Sequence, residues 1–186
     1  MKNRSFLYIL RLALTLLAIT AVMAAALALV NGATASVIAK SNEEKIQAAI
    51  EQVLPGGGEP MVYSDESGIV TGLWASDAGY AVQVSPVGFD GAITMMVGID
   101  ANGKVLGISI VSHTETAGLG AVAAADNAKG QSFRNQFIGM TGSVAVAKDG
   151  GEVDAITGAT VTSRAVCKGV SAALACVEKL QQEVQP

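Results

Sequence analysis

The sequence predicts an α+β fold: an N-terminal transmembrane helix, then one domain with a mostly antiparallel sheet and flanking helices. Three observations lead there. Residues 12–30 carry no charge. Two alternating apolar segments, 92–99 and 105–111, flank Asp100-Ala101-Asn102-Gly103, and Asn-Gly between such segments is a strong hairpin signal. Strands precede helices without a regular βαβ alternation, which argues against a parallel sheet.

The uncharged run from Leu12 to Val30 is mostly Leu, Ala, Val and Ile. At about 1.5 Å rise per residue it matches the ~30 Å hydrocarbon core of a bilayer. Lys2, Arg4 and Arg11 precede it, and Lys40 is the first base after it. The positive-inside rule therefore puts residues 1–11 in the cytoplasm and the main domain outside, as in a single-pass protein of the cell (inner) membrane with a periplasmic domain. A cleaved signal peptide is the competing reading, since Ala33-Thr34-Ala35 resembles a cleavage site. The apolar run is longer than the usual ~7–15 residue signal core, which favours an uncleaved anchor.

Residues 31–40 read as a small, polar linker, with the extracytoplasmic domain spanning 41–186. Ser41-Asn42-Glu43-Glu44 has the form of a capping box opening an amphipathic helix through Ile46, Ala49, Ile50, Val53 and Leu54. Pro55-Gly56-Gly57-Gly58 should end it. Residues 73–74 and 80–84 read as short strands ahead of the central hairpin. Residues 132–140 read as a short helix and 143–147 as a brief strand. The last helix is expected from Ser163, with Val166, Val170, Ala173, Leu174, Val177 and Leu180 at helical spacing.

Composition narrows the function. The chain has 12 Lys and Arg against 16 Asp and Glu. Three of those bases precede the apolar run and every acid follows residue 40, so the domain is strongly acidic. It has no electrostatic footprint for nucleic acid. One histidine and two cysteines make no metal site of zinc or iron–sulfur type. Cys167 and Cys176, nine positions apart on one expected helix, lie beyond disulfide reach.

The run Val153-Asp154-Ala155-Ile156-Thr157-Gly158-Ala159-Thr160-Val161-Thr162-Ser163-Arg164 carries the chemistry. It leads into the last helix, where unpaired N–H groups and the helix dipole favour a phosphate. Gly158 and Ala159 leave room for close approach. Thr157, Thr160, Thr162 and Ser163 supply hydroxyls, and Arg164 can offset negative charge. Taken on residue types alone, a plain N-cap explains the same pattern.

Asp154-x-x-Thr157-Gly158-Ala159-Thr160 resembles the flavinylation motif of the FMN-binding domain family, Asp-x-x-(Ser/Thr)-Gly-Ala-Thr. His113-Thr114-Glu115-Thr116-Ala117-Gly118-Leu119-Gly120 resembles that family's His-x-Glu-Thr-Pro-Gly-Leu-Gly loop, with Ala117 where proline is usual. The similarity extends over residues 87–174. With the anchor and the short length, it is similar in plan to the G subunits of Rnf-type complexes, and related to the C subunit of the sodium-pumping NADH:quinone reductase.

The resemblance implies FMN joined covalently through its phosphate to Thr160 by a flavin transferase that uses FAD as donor. It implies a flavin contact from the 113–120 loop, with Leu119 packing on the ring, Gly118 and Gly120 admitting close approach, and Glu115 and Thr116 as polar contacts. His113 is either part of that loop or a solvated residue at a strand end. Asp154 serves the transferase step or shapes the turn. The implied partners are the other subunits of a membrane redox complex that couples ferredoxin:NAD⁺ electron transfer to ion movement. No catalytic dyad or triad is visible, which suits an electron relay within a translocase. Two alternatives stand beside it: a stand-alone extracytoplasmic flavoprotein, and a non-redox membrane-tethered assembly or adhesion module.

Overall fold

The computed structural model describes residues 2–63, 65 and 67–184, with the side chains of 2–5 and 183–184 left aside. It divides into two compact units, residues 1–44 and 45–186.

Helix α1 runs unbroken over Lys2–Val53. The expected linker at 31–40 and the capping box at Ser41 are thus both helical interior, a correction with a simple cause. Residues 35–40 include Ala, Val, Ile and Lys, and no Pro interrupts 2–53, so nothing there costs enough to stop an established helix. The one glycine, Gly32, costs about 1 kcal/mol relative to Ala, less than starting a second helix nucleus. In the first unit the large apolar side chains from Phe6 to Ile38 are exposed. This is the one helix among the described residues long and apolar enough to cross a membrane.

The second unit is built on a five-stranded antiparallel meander in the order β1-β2-β3-β4-β5. The strands are β1 Glu59–Pro60, β2 Val70–Ser76, β3 Gly79–Val84, β4 Thr94–Asp100 and β5 Val105–Ser112. β4 and β5 form the expected hairpin, with Val97 opposite Ile108. Its turn is not the two-residue Asn-Gly type, because Asn102 keeps a negative φ and only Gly103 is left-handed (φ 77°). Asp100 Oδ1 instead accepts from the N–H groups of Asn102 and Lys104, both at 2.8 Å. That widens the loop and shifts the register by a bulge at Gly98/Ile99.

Side-chain alternation gives the sheet two covered faces. Val82, Val84, Met95, Val97 and Ile99 pack with Val166, Val170, Ala173 and Val177 of α3, Thr160–Val184. On the other face, Ala81 and Met96 pack against Ala49, Ile50 and Val53 from the end of α1 and Leu54 just after it. Gly98 lies under the Val53 carbonyl, where any Cβ would collide. Between β5 and α3 come a 3-10 turn, Gly120–Ala124, and α2, Ala128–Asn135. A second 3-10 turn, Ala147–Asp149, follows.

Helix α2 starts four residues before the expected helix at 132–140, because Asn127 Oδ1 caps it through Gly130 N–H at 3.0 Å. Residues 143–147 are not a strand. Val146 makes only an isolated parallel bridge to Val153. Ser171 Oγ, reaching from α3, accepts the Val144 N–H at 2.8 Å that a ladder would otherwise take.

Candidate functional site

Three chain segments converge at the N-terminus of α3: the loop 85–93 before β4, the loop 113–119 after β5, and the turn 154–159. They enclose a cleft of about 390 Å³ lined by Phe89, Glu115, Thr116, Leu119, Lys148 and Thr160 among others. That volume lies within the ~300–1,000 Å³ range of small-molecule sites.

The turn follows from its residues. Ala159 N–H donates to Ile156 O at 2.9 Å. Gly158, third of the four, has φ 79° while Thr157 does not enter the left-handed region. That is a type II turn, which demands glycine at this position. Helix α3 then begins at Thr160, three residues before the expected Ser163. Ser163 N–H closes the first intrahelical bond, to Ala159 O at 3.0 Å. The N–H groups of Thr160, Val161 and Thr162 therefore have no intrahelical acceptor and mark the positive end of the helix.

The four hydroxyls of the 153–164 run are separated by their partners and by the cleft they line. Ser163 Oγ is buried, accepts from Ile156 N–H at 3.0 Å and donates to Ala159 O at 2.9 Å. Thr162 Oγ1 is buried and donates to Glu115 Oε2 at 2.5 Å. Thr157 is exposed and lines a different cleft, together with Gly118 and Asp154. Thr160 alone is half-exposed within the main cleft, and its hydroxyl has no hydrogen-bond partner among the described residues.

Asp154 points its backbone, rather than its charge, at the structure. Its N–H donates to Gln136 Oε1 at 2.7 Å, and its carbonyl accepts from Gln136 Nε2 at 3.3 Å. Gln136 thus acts as a one-residue strand that anchors the turn. Arg164 is not turned to the cleft. Its guanidinium grips Asp149 with two bonds of 2.6 Å, which holds the Asp149 carboxyl below its ordinary pKa and raises that of Arg164. The cation lining the cleft is Lys148, which sequence reasoning missed. The 3-10 turn carrying it is brought there by the Val146–Val153 bridge and the Asp149–Arg164 pair, and no local signal announces either.

The loop 113–120 borders the cleft through Glu115, Thr116, Leu119 and Gly120. Thr116 O accepts from Leu119 N–H and from Ala121 N–H, both at 3.2 Å. Gly118 has φ 77°, so residues 116–119 also make a type II turn. Ala117 occupies the position of that turn where proline is favoured. Leu119 is partly exposed on the cleft wall opposite Gly158, whose added Cβ would sit 3.0 Å from Leu119 Cδ2. His113 Nδ1 accepts from Glu115 N–H at 3.2 Å. Glu115 borders the cleft but is only 8% exposed, and both its oxygens are engaged by protein donors. Phe89, also missed from sequence, stands 70% exposed at the cleft mouth.

Residues 88–175 match the FMN-binding domain family, a span that opens at the Phe89 loop and includes both motifs. Over 92% of its length the chain is 32% identical to the G subunit of the Na⁺-translocating ferredoxin:NAD⁺ oxidoreductase complex of Acetobacterium woodii, covering 93% of that protein. The chain belongs to this G-subunit family. It is also 35% identical, over 87% of its length, to the G subunit of the ion-translocating oxidoreductase complex of Stutzerimonas stutzeri, covering 78% of it. With the corresponding G subunit of Methanosarcina acetivorans it shares 31% identity over 86% of its length, covering 89% of that protein.

The cleft of this G-subunit family member suits an FMN. The Thr160 hydroxyl and the N–H groups of Thr160, Val161 and Thr162, all without a partner among the described residues, suit a phosphate together with Lys148. The apolar Leu119 and Phe89 suit the flat ring.

Proposed function

We propose that this chain is the membrane-anchored electron-relay component of an ion-translocating ferredoxin:NAD⁺ oxidoreductase complex, carrying one FMN esterified through its phosphate to Thr160. The carrying observation is the sorting of hydroxyls. Of the four in the run 153–164, only Thr160 is both inside the cleft and without a hydrogen-bond partner among the described residues. The names of the G-subunit relatives support the complex. The uncharged stretch 12–30 of α1 supports the anchor, and its flanking bases support a cytoplasmic N-terminus.

Attachment requires a flavin transferase. In that step Thr160 Oγ1 would bond to the FMN phosphorus of FAD as the pyrophosphate bond breaks, its proton passing to the departing AMP. The chain's own residues prepare this step. The N-terminal amides of α3 and Lys148 offset the phosphate charge. Gly158 leaves the approach to Thr160 open. Leu119 and Phe89 cover apolar surface and exclude water. A bound flavin supplies one- and two-electron transfer; the protein supplies its place and field. A covalent link also retains the group in a compartment poor in free FMN.

The test is coexpression with a flavin transferase, followed by a denaturing gel viewed under ultraviolet light and intact mass. The wild-type chain should give a fluorescent band and gain the mass of FMN less one water. Thr160→Val should lose both. An unmodified Thr160 in a fully active complex would remove the basis for the proposal.

A further inference from the structure

Among the described residues, Glu115 is the one charged residue that is buried. Oε1 accepts from Phe89 N–H at 2.8 Å and from Asp90 N–H at 3.2 Å, and Oε2 accepts from the Thr162 hydroxyl at 2.5 Å. These donors lie 25, 26 and 47 positions away along the chain. A single buried carboxylate thus ties the loops 85–93 and 113–119 to the first turn of α3.

The glycines nearby bear the imprint of that contact. A Cβ on Gly88 would collide with Oε1, and one on Gly120 would collide with Oε2 and press the Thr162 hydroxyl. Beside it, Thr114 Oγ1 donates to Asp90 O at 2.8 Å, and a Cβ on Gly91 would strike that Oγ1. Three backbone positions are bare where the side chains of the 113–116 loop pass over them.

We propose that Glu115 is a positioning residue: its carboxylate is the clamp that holds Phe89, the 113–120 loop and the Thr160 end of α3 at a fixed spacing, and it does not bind the cofactor through its oxygens. The inference rests on the proposed function for what the cleft holds, but not for the clamp itself. The carboxylate is well placed to stay charged. It receives three donors, one from the first turn of α3, where the helix dipole favours an anion. Its charge therefore borders the cleft permanently and disfavours added electrons there.

Two substitutions separate the geometry from the charge. In Glu115→Gln the remaining carbonyl oxygen still accepts from Phe89 and Asp90. The amide N–H₂ donates to Thr162, whose hydroxyl rotates to accept. The clamp survives and the charge goes. In Glu115→Leu the part-buried N–H groups of Phe89 and Asp90 and the buried Thr162 hydroxyl lose their acceptor.

The experiment uses the full-length chain coexpressed with flavin transferase. It measures hydrogen exchange over residues 86–92 and 113–120, Thr160 modification by intact mass, and the reduction potential of the bound flavin. Glu115→Gln should keep wild-type protection and modification while the potential moves positive. Glu115→Leu should speed exchange in both segments by about tenfold or more, and modification should fall several-fold. Should the Leu variant fail to fold, Thr162→Val, which removes one leg, should still speed exchange in residues 113–120. Wild-type behaviour of the folded Leu variant, or of Thr162→Val, overturns the clamp. So does a folded Glu115→Gln that loses flavin as the Leu variant does, since the oxygens would then be ligands. An unmodified wild-type chain defeats the proposed function instead, and the exchange rates still decide on the clamp.

Discussion

Acid–base behaviour at single residues follows from what each group touches. Burial alone would raise the Glu115 pKa, but the hydrogen bonds from Thr162, Asp90 and Phe89 outweigh it, and the carboxyl sits below its ordinary value. A group whose pKa is depressed on folding stabilises the native state above its unfolded pKa, about 4.3 for glutamate. That stabilisation is lost as pH falls through the folded value. Urea midpoints should therefore drop below about pH 4, and less steeply in Glu115→Gln than in the wild type. Asp65, also held low despite burial by bonds from Ser67, Val70 and Ile69, adds a background common to both. The cysteines behave oppositely. Cys167 is buried and its thiol is pushed up to about 11 by that burial; Cys176 is shifted the same way. Neither should be alkylated by iodoacetamide at pH 8 until the protein is unfolded, and early labelling in a mass-spectrometric time course would contradict their placement. Ala117 offers a gain. Its turn position suits proline, and its N–H has no partner among the described residues. Ala117→Pro should raise stability by roughly 0.4–1 kcal/mol, mainly by restricting the unfolded chain, as read from denaturant midpoints.

Among the elements, the turn leading into α3 matters most. The two type II turns of the site, 116–119 and 156–159, face each other through Leu119 and Gly158. Gly158→Ala forces a Cβ into left-handed backbone and against Leu119, and should cost about 1–3 kcal/mol. Ser163→Ala leaves the half-buried Ile156 N–H without its acceptor and should cost about 1–3 kcal/mol. Both are measurable by thermal or urea unfolding. The hydroxyl-rich run, its glycine and the helix beyond it were legible in sequence because turn chemistry and helical periodicity are local. The expected helix start falls three residues late, because Thr160, Val161 and Thr162 read as part of the hydroxyl-rich turn, whereas the Ile156–Ala159 turn already closes before Thr160. The strand expected at 143–147 failed because Ser171, on α3, takes the Val144 N–H.

Across the whole molecule, the sheet has a covered face on each side, one packed by α3 and one by the last turns of α1. Ile50 and Met96 are both buried in that second layer, so Ile50→Ala should cost about 2–5 kcal/mol in the unfolding free energy. Such a loss would show that residues 45–54 belong to the domain core. Deleting residues 1–44, the separate first unit, should move the chain from the membrane fraction to the soluble fraction after ultracentrifugation, with the melting transition of the remaining domain kept. Persistence in the membrane pellet would point to a second contact surface.

What the sequence determined by itself was whatever depends on neighbours along the chain: the apolar run of 12–30, the β4–β5 hairpin, the Asp154–Thr160 motif and the helix after it. Each is a short-range pattern of period, charge or turn residue. Tertiary structure decided which of four hydroxyls stands in the main cleft without a partner among the described residues, that Arg164 pairs with Asp149 while Lys148 lines the cleft, and that Glu115 faces inward to protein donors. Those outcomes depend on side chains from separate segments meeting in space, and hydrogen-bond partners so distant in sequence leave no periodic trace.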